Sequence, residues 1–140
     1  MKILLAVDGS EFTKQMLAYL AAHDELLGSN NQYTVLTVVP PVPPQVTHFV
    51  TRDSINGYYE ERATSVLSPI GTFAAQKGWK ITPRHEVGNP ADVISTIAAA
   101  EKFDMVILGS HGHSTLGSLV MGSVATGVLA RCKTPTLIIR

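Results

Sequence analysis

The chain has 140 residues, enough for one domain with one sizeable core. Hydrophobic residues make up 45% and charged residues 16%, a balance that excludes a disordered chain. Eleven Lys and Arg offset eleven Asp and Glu, so no net charge draws the chain to nucleic acid or an anionic membrane, and the single cysteine, Cys132, excludes an intramolecular disulfide framework.

Residues 2–7 read as the first strand. The run Ile3-Leu4-Leu5-Ala6-Val7 is continuously apolar, as expected of a strand covered on both faces. It is too short for a signal peptide or a membrane span, and no other apolar run approaches transmembrane length. With one cysteine and no targeting segment, the expected location is cytoplasmic. Asp8-Gly9-Ser10 ends the strand, with Ser10 placed to N-cap a helix through about Leu27 and Gly28 to stop it. Phe12, Met16, Leu20 and Leu27 lie near one face of that helix. A polar loop leads to the second strand, residues 33–39, rich in β-branched side chains. Pro40-Pro41-Val42-Pro43-Pro44 predicts a stiff, extended loop. Ile55, Tyr59, Ala63, Val66, Ile70 and Phe73 recur at helical spacing and predict a long helix over 52–77. Pro69 is expected to kink or divide it, and Gly78 to end it.

Residues 79–87 form the third strand, the least apolar. Pro83, Arg84, His85 and Glu86 suit a sheet edge, where proline removes no ladder bond and charge blocks mispairing. Asn89 is a candidate N-cap and Pro90 fits the first helical position. That helix runs to about Glu101 with Val93, Ile94, Ile97 and Ala98 inward. The fourth strand covers 103–108. The last helix covers 123–132, with Ser123 at its N-cap. Gly127 weakens this helix by roughly 1 kcal/mol relative to alanine, so packing is expected to hold it. Thr136-Leu137-Ile138-Ile139-Arg140 is the fifth strand. Strands alternating with helical crossovers predict an α/β fold: an open, five-stranded parallel sheet with helices on both faces. Ligands of such sheets sit beyond the carboxyl ends of the strands where the winding reverses, which singles out the ends of strands one and four.

Strand four runs into Gly109-Ser110-His111-Gly112, and the glycine-rich stretch continues to Gly122-Ser123. A strand entering a glycine loop that feeds a helix is a recurring phosphate cradle. Glycine lets backbone N–H groups approach an anion, and the helix N-terminus adds donors and partial positive charge. The spacing is G-x2-G-x9-G-S. It is neither the Walker pattern nor G-x-G-x-x-G.

This pattern resembles the nucleotide-binding signature of the universal stress protein family, and the resemblance covers the whole chain. Ile3 to Ser10 is similar to the family's opening strand with its aspartate. Gly88-Asn89-Pro90-Ala91-Asp92-Val93-Ile94 is similar to its third-helix entry, and Pro135 to Arg140 to its closing strand. The resemblance implies one such domain over 1–140, strand order 3-2-1-4-5 of the adenine nucleotide alpha-hydrolase-like kind, and a homodimer through the strand Thr136 to Arg140. The chain keeps every glycine and the serine of the loop, so it looks like a member of the ATP-binding subgroup. By that resemblance Asp8 would accept from the ribose hydroxyls. Ala6 and Val38, or Val39 with a one-residue shift, would line an adenine pocket. Gly109 and Gly112 would let ribose and phosphates approach, and Gly122, Ser123 and Val124 would hold the phosphate end. The implied ligand is ATP, ADP or AMP. The stretch from Gly109 to Ser123 contains no Lys or Arg. Phosphate charge would therefore need amides, the helix terminus, a divalent cation such as Mg2+, histidine, or a basic group from elsewhere.

Plainer readings stand beside these. Asp8 can serve as a turn residue and Ser123 as a cap. His111 and His113 alternate on a loop without a nearby carboxylate, which reads as solvent- or phosphate-facing rather than metal-binding. His23, His48 and His85 read as surface residues, Tyr58, Tyr59 and Trp79 as packing, and Cys132 as a small core residue. The expected role is regulation in a stress response through nucleotide binding and dimerisation. The alternatives are a slow ATPase or phosphotransferase, for which no general base beside a positioned water is evident, and a nucleotide-free dimeric interaction module. A phosphoacceptor receiver domain would want an acidic cluster after strand one and an acceptor aspartate after strand three, where the chain has only Asp8 and Gly88-Asn89-Pro90.

Overall fold

Five strands pair in parallel in the order β3-β2-β1-β4-β5. A computed structural model describes residues 1–113 and 121–140. The strands are β1 (Lys2–Ala6), β2 (Gln32–Val39), β3 (Lys80–Val87), β4 (Met105–Gly109) and β5 (Thr136–Ile139). Six helices lie among the described residues: α1 (Glu11–Ala22), α2 (Asp24–Leu27), α3 (Pro44–Thr47), α4 (Arg52–Lys77), α5 (Pro90–Ala100) and α6 (Ser123–Arg131). The chain winds from β1 through β2 to β3, then returns to place β4 on the other side of β1. The winding therefore reverses between β1 and β4, and a crevice opens at their carboxyl ends.

The apolar runs become a two-faced sheet because side chains alternate along a strand. Ile3 and Leu5 join Met16, Leu20, Tyr33 and Ile70 under α1 and α4. Leu4 joins Leu36, Ile94, Val106 and Val128 under α5 and α6. Both faces being covered is why β1 reads as unbroken apolar sequence. Ile3, Leu4 and Leu5 are wholly buried, so truncating any of them to alanine removes about 2–5 kcal/mol. Between α5 and α6 the contact is close. A Cβ on Gly127 would lie 2.6 Å from the Ala91 Cβ, so the residue that weakens α6 locally is the one that lets the two helices meet.

Several boundaries differ from the sequence reading, each for a local reason. The first predicted helix divides at His23. The His23 ring nitrogen Nδ1 approaches the Tyr19 carbonyl at 2.8 Å and the ring stacks on Tyr19, while its backbone leaves the helical region. Ser10 holds the N-cap position of α1, but its side chain makes no cap bond. Its Oγ is buried without a hydrogen-bond partner among the described residues. The proline loop contains the turn α3, opened by Pro44 at a first helical position. Pro69 does not divide α4, which runs unbroken through it over a total of 26 residues. Pro69 is exposed, so water can satisfy the carbonyl it leaves without a donor. At α6 the N-cap is Gly122, one residue earlier than expected, and Ser123 begins the helix.

Other expectations hold. Asn89 accepts from the Asp92 N–H at 3.1 Å, with Pro90 next in line. Gly78 ends α4 at φ +69°. β3 is a sheet edge that carries Pro83. His23, His48 and His85 are exposed. Trp79 is buried against Tyr33 and Phe73. Tyr59 is half-buried and its hydroxyl accepts from the Val42 N–H at 2.8 Å, but Tyr58 is exposed rather than packed. Cys132 is half-buried against the α5–α6 layer.

Candidate functional site

The turn after β1 fixes a carboxylate at the crevice. Gly9 adopts φ +77°, a left-handed conformation that brings Ser10 back under Asp8. Asp8 Oδ1 accepts from the Ser10 N–H at 2.9 Å and from the Thr13 hydroxyl at 3.1 Å. The same hydroxyl accepts from the Asp8 N–H at 3.2 Å. Thr13 is buried, so Oδ1 is anchored from below. The other oxygen faces the glycine loop: a Cβ on Gly112 would lie 2.5 Å from Asp8 Oδ2. Asp8 is thus both the turn residue of the plain reading and a group aimed at the crevice.

The glycine stretch closes on itself. Beyond β4, the Ser110 N–H donates to the Ile139 carbonyl at 2.8 Å, and the Ser110 carbonyl accepts from the Gly122 N–H at 2.8 Å. A Cβ on Gly122 would meet His111 Cα at 3.0 Å and the Ser110 carbonyl oxygen at 3.1 Å. Glycine is required there by backbone proximity. Residues 114–120 of the stretch lie outside the described residues. At its far end α6 starts without a side-chain cap. The first-turn N–H groups of Ser123, Val124 and Ala125 have no acceptor within the helix, and all three residues line the crevice. His111 Nδ1 lies 2.8 Å from Ser110 Oγ, and its ring is tilted against Phe12. His113 Nε2 lies 2.7 Å from the Asp8 carbonyl oxygen. A carbonyl only accepts, so Nε2 carries the proton.

These parts surround one cleft of about 910 Å³, within the size range of small-molecule sites. All eight residues singled out in the sequence, Ala6, Asp8, Val38, Gly109, Gly112, Gly122, Ser123 and Val124, line it. Ala6, Val38 and Val124 pack against the α5–α6 layer and form an apolar wall. Val39 also touches the cleft, but strand alternation turns it to the opposite face from Val38. Asp8 is the only carboxylate among the described lining residues. No three His, Cys, Asp or Glu side chains among the described residues gather as metal ligands.

Sequence reasoning missed two cations. Arg62 of α4 and Arg131 of α6 both reach the cleft, one from each layer. Arg131 is engaged, with Nε at 2.8 Å from Asp92 Oδ1 and an N–H donated to the Gly127 carbonyl at 3.1 Å. Thr13, which anchors Asp8, was also missed. No local motif marks these residues; only the fold brings them to the site.

A crevice at the winding reversal of a doubly wound sheet, beside a glycine loop and a helix N-terminus, is where α/β folds of this class hold small ligands. The chain belongs to the universal stress protein family, which it matches over residues 1–140. It is 29% identical over 142 residues to a universal stress protein of Thermus aquaticus, covering 99% of this chain and 97% of that one. Among solved structures it is similar to MJ0577 of Methanocaldococcus jannaschii, with a TM-score of 0.82 at 28% identity over 99% of this chain and 94% of that one. The same fold occurs in an Arabidopsis thaliana family member with AMP bound, at TM-score 0.71 and 14% identity over 99% and 90% of the two chains. It also occurs in the Archaeoglobus fulgidus protein in complex with dAMP, at 0.69 and 20% over 100% and 98%.

Proposed function

We propose that this chain binds an adenine nucleotide in the cleft and acts as a regulatory member of its family through that binding. The observation that carries the reading is the convergence of eight residues from four separate stretches on one cleft, with Asp8 Oδ2 facing Gly112. The adenine sits against the apolar wall of Ala6, Val38 and Val124. The ribose hydroxyls donate to Asp8. The phosphates lie at Gly109, Gly112, Gly122, Ser123 and the start of α6. The AMP and dAMP complexes of family members with this fold support the choice of base. ATP and ADP share that base, and ATP would bring Mg2+ on its own phosphates, since Asp8 is the one described carboxylate at the cleft.

The second part of the reading is a homodimer through β5. That strand pairs with β4 and ends the sheet, and it presents apolar Leu137 and Ile138 only half-buried. Pairing with a second copy would satisfy its open edge. Amide shifts of isotope-labelled protein titrated with AMP test the site. Saturable shifts at Ala6, Val38, Gly109, Gly112, Gly122, Ser123 and Val124, absent in Asp8→Ala, are expected. Saturable shifts confined elsewhere would refute the placement.

A further inference from the structure

The two arginines at the cleft differ in state. Arg131 is held by Asp92 and the Gly127 carbonyl. The Arg62 guanidinium makes no hydrogen bond or ion pair among the described residues, and its residue is exposed. Its place follows from the fold. α4 joins the parallel strands β2 and β3, so it runs antiparallel to them and its N-terminal end rises beyond the carboxyl edge of the sheet. Val66 sits against the Asp8-Gly9 turn, with its Cγ2 3.3 Å from where a Gly9 Cβ would be. Arg62 is four residues earlier on the same face, about 6 Å further out. The tilt of its Cβ toward the helix N-terminus carries it further still. Arg62 thereby joins Asp8 and Gly9 in lining the cleft, on the side where α4 rises past the sheet. The glycine stretch carries no Lys or Arg, and Asp8 adds a negative charge to any anionic ligand. Arg62 is the uncommitted cation of the described cleft that can offset both.

We propose that Arg62 recognises a phosphate group of the bound adenosine ligand; this rests on the nucleotide reading above. Its planar fork matches two phosphate oxygens. A phosphate at the ribose 5′ position and one at the 2′ or 3′ position offer the same chemistry, and the experiment separates them. Full-length wild type, Arg62→Ala, Arg62→Lys and Arg52→Ala are titrated calorimetrically with adenosine, AMP, ADP, ATP, adenosine 2′-monophosphate and adenosine 3′-monophosphate. Arg52 lies on the same helix away from the cleft and controls for general charge. Arg62→Ala should leave adenosine within about twofold of wild type and weaken the phosphorylated ligands it contacts by about 10-fold or more. Arg62→Lys should recover part of that loss, added salt should shrink it, and Arg52→Ala should change nothing. Loss confined to AMP, ADP and ATP assigns the 5′ phosphates; loss confined to the other two assigns the ribose edge. Equal effects on adenosine and its phosphates, no effect at all, or the same effect from Arg52→Ala would overturn the proposal. Wild type that binds none of the six ligands would overturn the nucleotide reading and this proposal with it.

Discussion

Gly112→Ala tests the geometry that brings Asp8 to the glycine loop. The new Cβ would lie 2.5 Å from Asp8 Oδ2 and 3.7 Å from its Cγ, so the contact is with one oxygen. Gly112 is not among the positive-φ glycines, so the backbone accepts alanine, and among the described residues the new Cβ meets only Asp8. Asp8 cannot swing aside freely, because Oδ1 is bonded to the Ser10 N–H and the Thr13 hydroxyl. Relief requires giving up one of those bonds or moving the loop. A hydrogen bond to a charged group is worth about 1.5–3 kcal/mol, so the expected loss is about 2 kcal/mol, and the melting temperature falls by about 8 °C. In the Asp8→Ala background the clashing oxygen is gone, and Gly112→Ala should cost less than about 0.5 kcal/mol. Urea unfolding of the four proteins of this double-mutant cycle measures the difference. An equal cost of Gly112→Ala in both backgrounds would refute the contact between the turn and the loop.

Tyr33 is buried, and its hydroxyl donates to the Leu27 carbonyl, with the Gly28 carbonyl 3.0 Å away. Burial raises its pKa above the ordinary 10.0, so above about that pH the unfolded chain loses its proton first. The stability this tyrosine contributes is fully present below 10 and lost as pH rises through the folded value. Tyr33→Phe should cost about 1–3 kcal/mol at neutral pH and flatten the alkaline fall, as read by denaturant unfolding on both sides of pH 10. Gly127→Ala forces a Cβ to 2.6 Å from the Ala91 Cβ. Overpacking of about 1–3 kcal/mol should outweigh a helix-propensity gain of about 1, and adding Ala91→Gly should restore stability in thermal melts. Sedimentation equilibrium should give twice the 15.0 kDa chain mass; a monomer at all concentrations would remove the β5 pairing.

What was legible in the sequence was whatever depends on periodicity and punctuation. Continuous apolar runs marked buried parallel strands, and Asn89-Pro90 and Gly78 marked helix ends because their chemistry is local. Pro69 misled because a proline's effect on a helix depends on which face it occupies, and that face is set by packing. His23 misled because a side chain bonding its own helix competes with the backbone in a way that hydrophobic spacing does not register. At the site, the glycines and Asp8 were visible as a spaced pattern. Thr13, Arg62 and Arg131 were not, since they meet the cleft only after the crossovers fold α1, α4 and α6 against the sheet.

The central claim is that the cleft between Asp8 and the glycine loop holds an adenine nucleotide. Calorimetric titration of freshly purified, nucleotide-stripped protein with ATP, ADP and AMP, with and without magnesium, tests it most directly. Saturable binding at one site per chain, abolished in both Asp8→Ala and Gly122→Val, is the expected result. Folded wild-type protein that gives no saturable heat with any of the three would contradict it.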